Sequence, residues 1–265
     1  MLIERVKKSR EENGDLLQRY HDLWYSSGHT WHYTHFLGVG MMKCPNDIWM
    51  YQDLMSRLRP QVVVETGTYQ GGSALWFAFL MDMLRINGGR VLTVDIKDYR
   101  KTWFVQHPRI TYFNGNSADP EMAEAVESQL PEQGGRLVVL DSDHSERHVR
   151  DELELYAPML RVGDWLVVED TNIGWGVEHK VTLPDSITGG YRCSCGQIFL
   201  SNAVSIDQVK CPKDDNTGDR GARGGVQDYM DEHPGEFVQD LLSERYLLTM
   251  NPGGWMQRVK ECEHV

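Results

Sequence analysis

Acidic side chains recur in this chain where hydrophobic runs end. QVVVE closes on Glu65, RVLTVD on Asp95, RLVVLD on Asp141, and DWLVVED on Glu169 and Asp170. Asp143 and His144 follow directly on the Asp141 run. Carboxylates gathered from neighbouring strand tips can share one hard cation, because oxygen donors favour Mg²⁺ or Ca²⁺ over zinc. Crowded without a cation, they repel one another and raise their own pKa values. Asp141, Glu169 and Asp170 are therefore the candidate ligands for Mg²⁺ or another divalent cation. Any one of these acids alone would read as a cap for the helix that follows it. Acids at four successive tips argue for a site.

The elements that must position these residues alternate between two periods. Short β-branched runs at 61–65, 90–95, 109–113, 136–141 and 164–170 read as strands. Between them, 71–85, 119–130 and 145–160 carry helical spacing, the second opened by Asp119-Pro120 and the third by a Ser145 cap. Strands alternating with helices of this length imply a parallel sheet with right-handed crossovers. Continuously apolar strands imply that both sheet faces are covered. Ligands of such sheets bind beyond the carboxyl ends of the strands, where these acids stand. Residues 46–58 read as a further helix, and 226–242 as another, interrupted at Pro234. RYLLTM (245–250) and GWMQRV (254–259) are predicted to form an antiparallel hairpin over Asn251-Pro252-Gly253.

ETGTYQGGS (65–73) joins the first strand to the first long helix. Its glycines let backbone approach a ligand, and the helix start offers free N–H groups. The loop lacks both the dinucleotide spacing and the phosphate-loop Gly-Lys-Ser/Thr ending. Asp95, at the next strand tip, can bind the two hydroxyls of a ribose. Together they suit an adenosine cofactor without a pyrophosphate. S-adenosylmethionine fits, with its amino-acid end over Gly67 and its carboxylate at Ser73.

The run E-x-G-x-Y-x-G-x-S is similar to the cofactor loop of catechol-type O-methyltransferases. The wider set VVVETGTYQGGSALWFA, GRVLTVDI, HPRITYFNGNSADP, LVVLDSDHSERHV, LELYAPML, WLVVEDTNI and NPGGWMQRV spans residues 37–173 and 222–260. It resembles the cephalosporin hydroxylase family, which shares the methyltransferase fold, and the macrolide sugar and rhamnosyl O-methyltransferases. The resemblance implies an α/β, Rossmann-like class I methyltransferase fold: a seven-stranded, mainly parallel sheet with a C-terminal antiparallel hairpin. It implies a cofactor site at Glu65, Gly67, Thr68, Tyr69, Gly71, Ser73, Asp95, Asn116, Ser117 and Asp141. It also implies a metal at Asp141, Glu169 and Asp170, with His144 as general base and Asp141 as its catalytic neighbour. The expected reaction is methyl transfer from S-adenosylmethionine to a hydroxyl of a sugar, glycolipid or natural-product scaffold. Asn116 and Ser117 match the adenine-contacting turn of the family and also suit the start of the helix at 119. Asp143 is expected to cap the helix after it, and His148 to be solvated.

Residues 174–224 depart from this family, whose corresponding loop is much shorter. Cys193, Cys195 and Cys211 lie there as C-x-C followed by C-P, a pattern resembling most of a zinc knuckle. Cys262, His179 or His264 are options for a fourth ligand. The expected organisation is a helical lid or oligomerisation region at 1–60, a cofactor-binding core at 61–173, this insert, and a completing helix and hairpin at 225–265. Composition limits the partners. A net charge of −12 disfavours nucleic acid, and no apolar run is long enough for a membrane span. The charged first residues lack the core of a signal peptide, and the cysteine count is odd. A cytoplasmic homo-oligomer acting on a small molecule is expected. Two other readings are an iron-dependent oxygenase and a non-catalytic adapter built on a zinc-binding insert.

Overall fold

The computed structural model describes residues 2–26, 30–99, 106–172, 181–182, 191–193, 198–199 and 220–260. Two helices, α1 (Leu2–Glu12) and α2 (Gly14–Ser26), lead into a short antiparallel pair, β1 (His35–Phe36) and β2 (Val39–Gly40). Helix α3 (Pro45–Leu58) starts at a proline, which lacks the N–H that a first helical turn leaves unused. The repeating part follows as β3 (Val62–Thr66), α4 (Gly72–Met83), β4 (Arg90–Asp95), β5 (Ile110–Asn114) and α5 (Pro120–Glu127). It continues with β6 (Arg136–Leu140), α6 (Glu146–Tyr156) and β7 (Trp165–Val168). Short strands β8 (Val181–Thr182), β9 (Tyr191–Cys193) and β10 (Ile198–Phe199) form a separate antiparallel sheet. Helix α7 (Gly221–Glu232) and strands β11 (Phe237–Gln239) and β12 (Trp255–Arg258) complete the described chain.

The main sheet has seven strands in the order β11-β12-β7-β6-β3-β4-β5. Strands β3 to β7 are parallel, while β12 runs antiparallel to β7 and β11 antiparallel to β12. The expected Rossmann-like arrangement is the one observed. Because β3 lies between β4 and β6, the chain leaves it in both directions, which opens a crevice at its carboxyl end.

Alternation along each strand supplies two cores. Val62 and Val64 point to the face covered by α5, α6 and α7, with Leu153, Tyr156 and Tyr229. Val63 points to the opposite face, with Leu54 of α3, Phe77 of α4 and Trp255 of β12. Burial on both faces is why these strands read as unbroken apolar runs.

Three local expectations need correction. Residues 245–250 form no strand; the antiparallel pair is β11 with β12. Met250 N–H is drawn to the Asp47 carboxylate at 2.8 Å, and Leu247 adopts φ 67°, which a strand excludes. The helix read over 226–242 stops at His233, because Pro234 cannot continue it, and the residues beyond enter β11. Ser145 occupies the cap position of α6 but makes no side-chain cap bond. Asp143 Oδ1 instead accepts from Ser145 N at 2.8 Å. Asp119 caps α5 as expected, accepting from Glu121 N at 3.1 Å.

Cys193 ends β9, while Cys195, Cys211, Cys262, His179 and His264 lie outside the described residues. Among the described residues, no helix is long and apolar enough to cross a membrane.

Candidate active site

A cavity of about 780 Å³ opens over the carboxyl ends of β3, β4, β6 and β7. Its floor is the loop after β3. Gly67 has φ +83°, and a Cβ there would stand 1.9 Å from the Asp141 carbonyl oxygen. Only glycine allows the β3 and β6 tips to come so close. Gly67 N and Thr68 N donate to Val94 O at 2.8 and 3.2 Å, which fastens the loop to β4. Tyr69 N donates to Asp95 Oδ2 at 2.7 Å, and Lys97 N donates to Asp95 Oδ1 at 3.0 Å. Backbone thus orients the Asp95 carboxylate at the cavity wall. Asn116 and Ser117 line the same side; Asn116 Oδ1 accepts from Ala118 N at 3.2 Å, and the Asn116 carbonyl accepts from Asp119 N.

The opposite wall carries the charge. Asp141 follows β6, and Glu169 and Asp170 follow β7. Asp170 adopts φ 54°, and its N–H donates to Asn251 Oδ1 at 3.0 Å. That left-handed turn separates two adjacent acids: Glu169 is buried, while Asp170 is part-exposed at the cavity. His144 Nε2 lies 3.2 Å from Asp170 Oδ2 and 3.9 Å from Asp141 Oδ1. Asp141, His144 and Asp170 each bring one ligand atom within 4.8 Å of the others. A divalent cation therefore fits this donor set.

Glu169 reaches the cavity wall but gives Oε1 to two buried donors. Tyr51 Oη donates to it, and Lys43 Nζ lies 2.9 Å away. Lys43 Nζ also lies 2.5 Å from Asp141 Oδ2, and only 1% of its side chain is exposed. Burial alone would lower the pKa of this ammonium. The surrounding carboxylates of Asp141, Glu169 and Glu65 outweigh burial and raise it. Burial pushes the Asp141 and Glu169 carboxyls up, and Lys43 pulls both back. Glu65 lies wholly buried behind the wall, with Thr93 Oγ1 donating to its Oε2 at 2.8 Å. Burial pushes it up to about 7, against the pull of Lys43 and the Ser73 and Thr93 hydroxyls.

Gly67, Thr68, Tyr69, Ser73, Asp95, Asn116, Ser117, Asp141, His144, Glu169 and Asp170 all meet at this one cavity. Glu65 and Gly71 stand behind it, Glu65 as a support and Gly71 as the left-handed residue that starts α4. His148, expected to be solvated, lies on the cavity wall. Its Nε2 is 3.0 Å from Ser142 Oγ and 3.5 Å from the buried Glu152. The Glu152 hydrogen bond raises its pKa against the opposing effect of burial. Trp24 and Trp31 close the far side, packed with Cys44 and Met250.

The description "Rhamnosyl O-methyltransferase/CmcI" belongs to the family model that matches residues 28–187, more than half of the chain. The chain belongs to this family. A rhamnosyl O-methyltransferase of Mycobacterium tuberculosis (strain H37Rv) is 38% identical over 161 residues, which are 59% of this chain and 64% of that enzyme. The chain thus spans just under two thirds of the length of that relative. A rhamnosyl O-methyltransferase of Mycobacterium leprae is 36% identical over 159 residues, covering 60% of this chain and 69% of the relative. A solved Mg-SAM structure of CmcI superposes with a TM-score of 0.56 at 19% identity, covering 90% of this chain and 84% of that one, and shows the shared fold.

In this rhamnosyl O-methyltransferase/CmcI family member, sequence reasoning missed Lys43, Tyr51 and Ser142. Lys43 had one visible signal. It is a single cation set among Met41, Met42 and Cys44, ahead of a helix that the fold must bury. Tyr51 sits on the buried face of α3, with ring centroids 5.3 Å from Phe77 and 4.8 Å from Trp255.

Proposed function

We propose that the protein is an S-adenosylmethionine-dependent O-methyltransferase acting on a hydroxyl of a sugar or sugar-bearing natural product. One observation carries this reading: the glycine loop, Asp95 and the Asp141–His144–Asp170 cluster face a single cavity. Family membership and the rhamnosyl O-methyltransferase activity by which the mycobacterial relatives are named support the acceptor class. The CmcI structure of the same fold, with Mg and SAM, supports the cofactor.

S-adenosylmethionine, when bound, supplies a methyl group already activated on a sulfonium. The chain's own residues bind, align and accept the proton. Gly67 lets the β3 and β6 tips close and so sets the loop over which the amino-acid end would lie, and the N–H groups at the start of α4 would meet its carboxylate. Asp95, already oriented by two backbone amides, accepts the ribose hydroxyls. Asn116 and Ser117, on the same side of the cavity, would border the adenine. Trp24, Trp31 and Met42 narrow the acceptor side and exclude water. His144 takes the acceptor's proton as the new bond forms. The Asp170 carboxylate beside its Nε2 stabilises the imidazolium that results. Asp141 and Asp170 would hold a divalent cation, which lowers the pKa of a bound hydroxyl. Glu169, the third carboxylate expected from the sequence, stands behind them with its Oε1 on Tyr51 and Lys43 and outside the cluster of Asp141, His144 and Asp170.

An iron-dependent oxygenase takes two histidines and one carboxylate. The other histidine of this wall, His148, faces Ser142 and Glu152 instead, which favours methyl transfer. Calorimetric titration with S-adenosylmethionine, with and without Mg²⁺, tests the cofactor. Transfer of labelled methyl to rhamnose-bearing glycolipids or macrolides tests the acceptor class. Absence of any heat of binding would remove the proposal.

A further inference from the structure

Asp141 is a carboxylate with two faces. Oδ2 turns inward to Lys43 Nζ at 2.5 Å, and Oδ1 turns outward toward His144. The inward cation is permanent: Lys43 is almost wholly enclosed, and it also engages Glu169 Oε1 at 2.9 Å. Any ion entering the cavity therefore draws on negative charge that the protein has already partly balanced.

We propose that Lys43 is a built-in counter-ion, a positioning residue that holds Asp141 and Glu169 in place without metal and competes with a divalent cation for their charge. The part concerning the divalent ion rests on the function proposed above. The physical argument is short. Buried carboxylates facing one another without a cation are unfavourable, and one ammonium between them supplies most of the relief. A divalent ion beside that ammonium meets repulsion as well as attraction. Because coupling is reciprocal, removing the ammonium must tighten the ion, and adding the ion must restore what the lost ammonium supplied. The metal-free protein is expected to keep its acid cluster in order, and the ion to bind weakly and exchange freely.

The test compares Lys43→Met, which keeps the length and apolar stem, with the unmodified protein. Melting is followed in EDTA and in millimolar Mn²⁺, and Mn²⁺ affinity is read by electron paramagnetic resonance. In EDTA the variant is expected to melt about 10 °C lower. Mn²⁺ is expected to return at least half of that loss while barely moving the unmodified protein. The variant should bind Mn²⁺ about tenfold tighter. Equal melting in EDTA overturns the inference, and so does a loss that no cation restores combined with unchanged affinity. If the unmodified protein binds no Mn²⁺ and the variant does, Lys43 is confirmed as the counter-ion and metal assistance in the proposed function is lost. If neither binds, both fall. Should Lys43→Met fail to fold, the paired Lys43→Met, Glu169→Gln protein removes one charge of each sign. Folding of the pair in EDTA supports the counter-ion role, and its failure shows a role in shape alone.

Discussion

The two halves of the cavity are built by different means. On the Asp95 side, the carboxylate is held by main-chain amides of Tyr69 and Lys97, and Gly67 is held by the carbonyl of Val94. On the reaction side, Asp141 and Glu169 are held by a lysine and a tyrosine from the start of the chain. Backbone fixation tolerates side-chain change, because the donors remain whatever the sequence. Ionic fixation in a buried place does not, because losing one partner leaves the other uncompensated. The difference teaches that similar strand-tip acids can carry quite different structural debts.

Substitutions sharpen this contrast in order of size. His144→Ala should slow methyl transfer by about 10²- to 10⁴-fold while leaving melting and cofactor affinity near those of the parent, since it removes a proton acceptor and no support. Single-turnover rates beside a calorimetric titration would show the split. Gly67→Ala lies at the seam between the halves. Its Cβ cannot coexist with the Asp141 carbonyl, so the loop must move. Cofactor affinity is expected to fall by about 100-fold or more, with a lower melting temperature.

The two acids themselves give the most direct comparison. Asp95→Asn should weaken S-adenosylmethionine by about tenfold, or 1.4 kcal/mol, and change stability by no more than about 0.5 kcal/mol. Asp141→Asn should cost about 3 kcal/mol in denaturant unfolding, because it strips Lys43 of a buried partner. Equal stability losses at the two positions would erase the distinction between backbone and ionic fixation.

The smallest effect concerns Asp47, which is wholly buried beneath the reaction side. Burial pushes its carboxyl up to about 7. The folded chain then holds a proton that the unfolded chain releases between about pH 4 and 7, so stability declines as pH rises through that window. Asp47→Asn keeps an acceptor for Met250 N–H and removes the titration. It should melt a few degrees above the parent at pH 8 and no higher at pH 4, as followed by circular dichroism.

Legibility in the sequence divided along the same line. Strand β4 occupies Arg90–Asp95, the run read from its pattern, because a strand covered on both faces announces itself locally. The glycine loop was legible for a similar reason: turn chemistry is written in consecutive residues. Lys43 and Asp141 are 98 positions apart, and Tyr51 and Glu169 are 118 apart. No periodicity encodes such a pairing. His148 faces inward because Ser142 meets it from the tip of β6; Glu152 is its i+4 neighbour on α6, a pairing the sequence shows, but the burial of Glu152 comes from the packing of α6 on the sheet. RYLLTM carried an honest strand signal that a tertiary contact to Asp47 overrode.

Trp255 closes the ring stack on Tyr51, and Asn251 fixes the turn at Asp170. Both come from the last strand and the loop before it. During synthesis the ribosome must therefore deliver the chain through β12 before the acid cluster can set. A nascent chain halted after β10 would carry every acid of the cluster and still lack Asn251 and Trp255.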